Sequence, residues 1–368
     1  MSQNSRPANS LIRTRKVLVT GGAGFIGSHT AKALAARDWL PVVFDNLSNG
    51  RRDAVKWGPF VHGDVRDQAA LSAAMREHQV EAVIHFAGLI EVGRSMVRPD
   101  LFYDHNVQGT CALLSAMRDR KVGRLVFSSS AAVYGAPDGV DPLAPLGEGA
   151  PKAPSSPYGH SKLIGEQMIA DYCSAFGLSG IALRYFNAAG ADPDGEIGEC
   201  HEPETHLIPL AIDAALGRGK PLTVFGRDFP TPDGSCIRDY VHVVDLAAAH
   251  VAALEATLAA GDFEALNVGV GEGYSVLQVV AEVERSLGRR TFSLVGARRG
   301  GDPACLVADS RLIRERLGWV PAHSTLPNIV QTAAAWRKRQ GSPMGDQAED
   351  DDRDETAAPK AATGSTGD

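Results

Sequence analysis

KVLVTGGAGFIGSHTAKAL, Lys16 to Leu34, is the stretch whose reading decides the fold. A short β-branched strand, Lys16 to Thr20, runs into a glycine turn that opens an amphipathic helix. Gly21, Gly24 and Gly27 form G-x-x-G-x-x-G. The turn must be tight, the backbone must come close to a pyrophosphate, and the helix must pack closely on the strand; each demand excludes a Cβ at one position. Free N–H groups at the helix start then hold the anion. A second strand, PVVFD, ends at Asp45, about 20 residues beyond the glycines. A carboxylate there accepts from both ribose hydroxyls of an adenosine and repels a 2′-phosphate, which favours NAD over NADP. Arg51 and Arg52 follow closely and weigh the other way. Asp64, in HGDVRD after a third short strand, is placed to meet the adenine.

Outward from this unit the same rhythm continues. AVIHF, RLVFSSS and GIALRYF are short, β-branched or aromatic runs, each followed by a turn or a longer amphipathic segment. Parallel strands with crossover helices are predicted: an α/β, doubly wound, Rossmann-type sheet with a smaller C-terminal substrate-binding region. The rhythm changes near residue 190, where ADPDGEIGE and GRDFPTPDGS are rich in Gly, Pro and Asp. The expected division is 15–190 for the NAD-binding domain, with 236–270 returning to it, and 191–340 mainly for the substrate region. Residues 1–14 and the acidic segment 341–368 are expected to be disordered, because neither has the apolar residues needed to offset ordering entropy.

Composition narrows the classes. The chain has 368 residues, 44% apolar and 22% charged, with a net charge of -7. A basic nucleic-acid surface is not expected. Apolar stretches are short and interrupted, so no membrane span is expected, and the N-terminus lacks an apolar signal region. Five scattered cysteines do not form a disulfide framework, and a cytoplasmic setting is expected. Neither the cysteines nor the eleven histidines suggest a metal site.

The chemistry is read from Tyr158 and Lys162, the ends of Y-G-H-S-K. One helical turn puts both side chains on one face. A free Tyr, with a pKa near 10, is a poor base at neutral pH. An adjacent ammonium and a positive nicotinamide ring would stabilise the phenolate. Tyr158 could then take a substrate proton while hydride leaves the same carbon. Ser130, at the carboxyl end of RLVFSSS, is the strand-end hydroxyl expected to share that proton, in preference to Ser128 and Ser129.

These residues resemble the extended branch of the short-chain dehydrogenase/reductase superfamily. VLVTGGAGFIGSHT, FDNLSNG, AVIHFAGL, NVQGT, FSSSAAVYG, SPYGHSKLIGEQ, LRYFNAAGA, TVFGRDFPTPDGSCIRDYVHVVDLA and GYSVLQVV resemble UDP-glucose 4-epimerases in order and spacing. The match covers about residues 16 to 337. It implies interconversion of UDP-galactose and UDP-glucose through a 4-ketopyranose, with tightly bound NAD, in a homodimer. For NAD it implies, beside the glycines, Phe25, Ile26, Asp45, Asn46, Leu47, Ser48, Asn49, Gly50, Asp64, Val65, Phe86, Ala87, Gly88, Leu89, Asn106 and Phe186. For the UDP-sugar it implies Phe186, Asn187, His206, Leu207, Thr223, Val224, Phe225, Arg238, Arg299, Asp302 and Leu306. Ser130, Tyr158 and Lys162 carry the chemistry.

The sequence departs from the family at four places. Ile90 stands where many relatives have Lys, His206 where many have Asn, and Ala132 where a Thr is usual. Leu306 occupies the position that tends to set pocket width; it is larger than the Cys or Ser that admit N-acetylated sugars and smaller than Tyr. Three rival readings remain. A nucleotide-sugar 4,6-dehydratase needs an acid and a base just after the strand-end hydroxyl, where this chain has Ala131 and Ala132. An epimerase of a UDP-pentose, UDP-uronate or UDP-N-acetylhexosamine shares every motif. A non-catalytic NAD sensor would not need Ser130, Tyr158 and Lys162 intact.

Overall fold

A computed structural model describes residues 14–135, 141, 143–256, 258–299 and 302–341. The expected disordered ends therefore lie almost entirely outside the described residues. In chain order the first half contains β1 (Arg15–Thr20), α1 (Phe25–Ala35), β2 (Trp39–Asp45), β3 (Phe60–His62), α2 (Gln68–His78) and β4 (Ala82–His85). There follow α3 (Val92–Val97), α4 (Pro99–Phe102), a π-helical turn (Tyr103–Gln108), α5 (Gly109–Arg120), β5 (Arg124–Ser130), α6 (Pro157–Phe176), β6 (Ser179–Tyr185) and β7 (Asn187–Ala189). The second half contains α7 (Leu207–Ala215), β8 (Leu222–Phe225), β9 (Ile237–His242), α8 (Val243–Glu255), β10 (Phe263–Val268), β11 (Gly273–Ser275) and α9 (Val276–Leu287). β12 (Ser293–Gly296), β13 (Cys305–Leu306), α10 (Arg311–Leu317) and α11 (Leu326–Arg339) complete it.

The main sheet has seven strands in the order β10-β6-β5-β4-β1-β2-β3, all parallel. Alternate residues of β1 serve opposite faces, as a strand covered on both sides requires. Val17 and Val19 pack with Leu34 of α1 and Val251 of α8. Leu18 packs on the other face with Leu71 of α2, Leu113 of α5 and Ile169 of α6. The strand order reverses direction between β1 and β4. In open α/β sheets such a switch point opens a crevice outside the carboxyl ends of the strands, where ligands bind.

The expectation that 236–270 returns to the large sheet meets a mixed arrangement. α8 packs on α1, and β10 pairs with β6 at the sheet's edge. β9 instead organises a smaller sheet, with β11 antiparallel on one side and β7 and β13 parallel. A third core, with Ile208 and Ile212 of α7, Val279 and Val283 of α9 and Ile329 of α11, supports this region. β8 and β12 form a separate parallel pair.

Candidate active site

The crevice at the switch point runs from the glycine turn across the sheet to β9 and β13. Its nucleotide end is shaped by close approach. Gly21 has φ +72°, and a Cβ there would lie 2.6 Å from the Ala87 nitrogen; one on Gly27 would lie 2.3 Å from the Gly21 oxygen. A Cβ on Gly24 meets only the Gly21 oxygen, at 3.3 Å, a tight contact but a far milder one than at Gly21 or Gly27. Gly24 is the N-cap of α1, and no side chain caps that end. Bare helix N–H groups beside an open glycine turn form a cradle for a pyrophosphate.

Asp45, at the carboxyl end of β2, lines the same crevice. Its two oxygens accept from the backbone nitrogens of Leu47 (2.8 Å) and Ala23 (3.0 Å), which ties the strand end to the glycine turn. Burial pushes its carboxyl above the ordinary value. Arg51, whose proximity weighed toward NADP, is held in a bidentate pair by Asp53 at 3.0 and 2.7 Å, and Arg52 lies over the Phe60 ring. The crevice therefore presents a carboxylate and no arginine at this end, which fits NAD. Phe25, Ile26, Asn46, Ser48, Asn49, Gly50, Val65, Phe86, Ala87, Gly88 and Leu89 also line it.

Leu47, Asp64 and Asn106 do not. Leu47 faces a neighbouring side pocket. Asp64 is bound by Arg66 and Asn46, which hold its carboxyl well below the usual range, while its neighbours Gly63 and Val65 reach the crevice wall. Asn106 is buried, accepts from the Leu89 nitrogen at 2.8 Å and donates to the Leu89 oxygen at 3.0 Å, so it pins the loop after β4.

The three serines at the end of β5 separate by task. Ser128 Oγ pairs with the Tyr185 hydroxyl, and Ser129 Oγ donates to buried Glu166. Ser130 and Tyr158 both line the crevice, and the Ser130 hydroxyl favours the Tyr158 phenolate. α6 begins with Ser156 as N-cap and Pro157 in its first turn, and carries Tyr158, Lys162 and Glu166 at four-residue spacing, one buried face. Glu166 also receives Arg184 Nε at 2.9 Å, and Arg184 reaches the Tyr134 hydroxyl at 3.0 Å; this buried network fixes α6 against β5 and β6. Lys162 lies behind the crevice wall and donates to the Ser128 carbonyl at 2.8 Å. Burial pushes its ammonium down to about 8 and pushes the Tyr158 phenol up, against the Ser130 hydrogen bond. In the chain alone burial thus outweighs the expected stabilisation of the phenolate.

At the far end, Asn187 of β7, Arg238 of β9 and Leu306 of β13 reach the crevice from the smaller sheet, with Phe186 and His206. β13 pairs directly with β9, with Leu306 opposite Arg238. Asp302 accepts from Arg299 Nε at 2.9 Å and lies 3.6 Å from Arg238, and Arg299 stacks on Phe225 of β8. Arg299, Asp302 and Phe225 therefore form one cluster beside Arg238. They stand outside the immediate crevice wall, as do Leu207, Thr223 and Val224.

Sequence reasoning missed Glu199 and His201, which also line the crevice. They converge with Glu204 and His206, and the His201 and His206 ring centroids are 5.2 Å apart. The histidines look scattered in the sequence, and it is the fold that brings His201 and His206 together. Burial disfavours charge at both sites, yet Glu199 and His206 hold each other charged: the carboxyl stays below its usual range and the imidazole is pushed up to about 10. The signal was the spacing E-x-H-x-x-E-x-H, Glu199 to His206, whose members a loop folds together.

A dinucleotide cradle, a Tyr-x-x-x-Lys pair and a strand-end serine define a nicotinamide-dependent enzyme of the extended short-chain type. The chain belongs to the NAD dependent epimerase/dehydratase family, whose model matches residues 17–269, and within it to the UDP-glucose 4-epimerases. The UDP-glucose 4-epimerase of Rhizobium leguminosarum bv. trifolii is 50% identical over 325 residues, spanning 88% of this chain and 97% of that one. The structure of UDP-glucose 4-epimerase from Brucella ovis in complex with NAD is 51% identical, with a TM-score of 0.83, covering 87% of this chain and 98% of that one. The Bifidobacterium longum UDP-glucose 4-epimerase, solved with NAD+ and UDP, is 36% identical with a TM-score of 0.83, covering 88% and 98%.

Proposed function

We propose that the enzyme interconverts UDP-galactose and UDP-glucose by inverting C4, with NAD held throughout. The observation that carries this reading is Ser130 and Tyr158 lining the crevice together, with Lys162 behind the wall and Arg238 at the far end. NAD, when bound, accepts hydride from C4 and returns it. The glycine turn and the α1 N-terminus hold the pyrophosphate, and Asp45 accepts from the adenosine ribose. Tyr158 takes the C4 hydroxyl proton, with Ser130 sharing the hydrogen bond. Lys162 lowers the phenol's pKa, and the positive charge of the oxidised cofactor adds to it. Arg238 and Arg299, braced by Asp302, hold the UDP phosphates. The sugar turns about its link to the pyrophosphate, and Tyr158 returns the proton on the other face.

A 4,6-dehydratase is disfavoured by the crevice itself. Ala131 and Ala132 line it beside Ser130, and among the described residues its only carboxylates are Asp45 and Glu199. The first sits at the nucleotide end and the second among histidines. Incubation with a panel of UDP-sugars, with products resolved by NMR, tests the reading. UDP-galactose and UDP-glucose should reach one common equilibrium mixture from either side. A 4-keto-6-deoxy product, or turnover of pentose or uronate substrates alone, would overturn it.

The chain division at about residue 190, a cytoplasmic setting and a homodimer form part of the same proposal. No helix among the described residues is long and apolar enough to cross a membrane. Val92, Met96, Val97 and Tyr103 expose an apolar patch along α3 and the π-helical turn, which supports pairing of two copies there. A monomer by light scattering at micromolar concentration would contradict the dimer.

A further inference from the structure

Two groups of side chains outside the catalytic pair gather several ligand-type atoms. In the first, Asp192, Asp194 and Glu196 surround the Lys32 ammonium at 2.7–2.9 Å, so a cation from the chain already fills it. In the second, Glu199, His201, Glu204 and His206, the atoms that converge belong to two carboxylates and two imidazoles.

The spacing of this second group is that of ligands around an ion. His206 Nδ1 lies 2.6 Å from Glu199 Oε1 and 3.4 Å from Glu204 Oε1; His201 Nδ1 lies 3.1 and 3.9 Å from the same two oxygens. Four ligands at zinc–nitrogen and zinc–oxygen distances of about 2.0–2.1 Å sit about 3.3 Å apart at the corners of a tetrahedron. The four separations straddle that value. His206 Nδ1 meets Glu199 Oε1 as an ion pair without hydrogen-bond geometry, so this buried nitrogen has no hydrogen-bond partner. Glu204 Oε2 is buried and equally unpartnered, on a side chain 8% exposed. The Glu199 side chain is 5% exposed.

The charge balance points the same way. Two carboxylates held this closely, out of water, need compensation. A single imidazolium neutralises one of them; a divalent cation neutralises both. Two nitrogens and two oxygens in four-fold geometry suit zinc, whereas Mg²⁺ and Ca²⁺ take more ligands and prefer oxygen alone.

We propose that Glu199, His201, Glu204 and His206 bind one divalent transition-metal ion, zinc by preference, at the wall of the crevice. Coordination through Nδ1 leaves Nε2–H as the only donor of the His206 ring, a fixed tautomer at the edge of the ligand site.

The test uses the full chain without a polyhistidine tag. The protein is equilibrated with Zn²⁺, freed of unbound ion and analysed for metal; Co²⁺ is titrated in parallel and read by its visible spectrum. One zinc per chain and the intense visible bands of four-coordinate cobalt are expected. His201→Ala and Glu199→Gln should each weaken binding by more than about 100-fold, beyond the 10–100-fold that an outer-shell partner contributes. Melting temperature and NAD content report whether each variant is folded. If a variant unfolds, the cobalt spectrum of the unaltered chain decides. No retained zinc, a weak six-coordinate cobalt spectrum, or zinc binding unchanged in both folded variants would overturn the proposal.

Discussion

The Lys162 ammonium stands 5.8 Å from the centre of the Tyr158 ring and gives its hydrogen bond to the Ser128 carbonyl at 2.8 Å. It therefore acts on the phenol through its field. A unit charge about 6 Å from a phenolate would contribute about 2–3 kcal/mol at an effective dielectric of about 20, or roughly two pKa units. Burial raises the Tyr158 pKa, so the proton acceptor forms as pH rises. Lys162, pushed down to about 8, loses its charge and its help above that pH. Lys162→Ala should move the rising limb of the kcat profile up by roughly two units. The loss should be about 10²-fold at pH 7 and much smaller at pH 9. An equal loss at both pH values would show that Lys162 only positions the cofactor.

The glycine turn separates folding from binding. Gly27→Ala drives a methyl group into the Gly21 oxygen and should lower stability by about 1–3 kcal/mol, with loss of NAD. Gly24→Ala meets only the Gly21 oxygen, at 3.3 Å, and should lower the melting temperature much less than Gly27→Ala while losing most of its NAD, because the methyl group enters the pyrophosphate's place. Nucleotide released on denaturation and thermal melts together check this. NAD retained at full occupancy in Gly24→Ala would contradict the cradle.

Leu306 reaches the crevice beside Arg238, with which it is paired in register. Leu306→Tyr should suppress turnover of UDP-N-acetylhexosamines selectively and change UDP-galactose turnover by less than about threefold, since one added group in a pocket is worth roughly 1–3 kcal/mol against the larger sugar. Competition kinetics with both substrates give the ratio. Equal losses on both would remove Leu306 as the gate.

The parts of this site that were legible in the sequence are those made by local periodicity. β1, its glycine turn and α1 follow one another without interruption from Arg15 to Ala35, and Tyr158 and Lys162 share one helical turn, so spacing alone brings them together. Ser130 is legible as the hydroxyl at the carboxyl end of β5, but the partners Tyr185 and Glu166, which take up Ser128 and Ser129, are not. β13 is two residues long and exists by pairing with β9; no pattern that short is readable. The place of Asp64 after β3 is legible in the sequence, whereas its pairing with Arg66, two residues on, is not. The Glu199–His206 group lies in a loop, where neither helical nor strand periodicity predicts convergence.

The account depends most on Tyr158 as proton acceptor. Tyr158→Phe removes the hydroxyl and keeps the ring, which packs edge-on against Phe102. NAD should stay bound, and UDP-sugar affinity, followed by calorimetry, should change little because Arg238 anchors the other end. The decisive measurement is single-turnover reduction of the bound NAD by UDP-glucose in this variant. A rate lowered by about 10²–10⁴ with NAD and substrate still bound is the predicted result. A near-normal rate in the folded, NAD-loaded variant would contradict it.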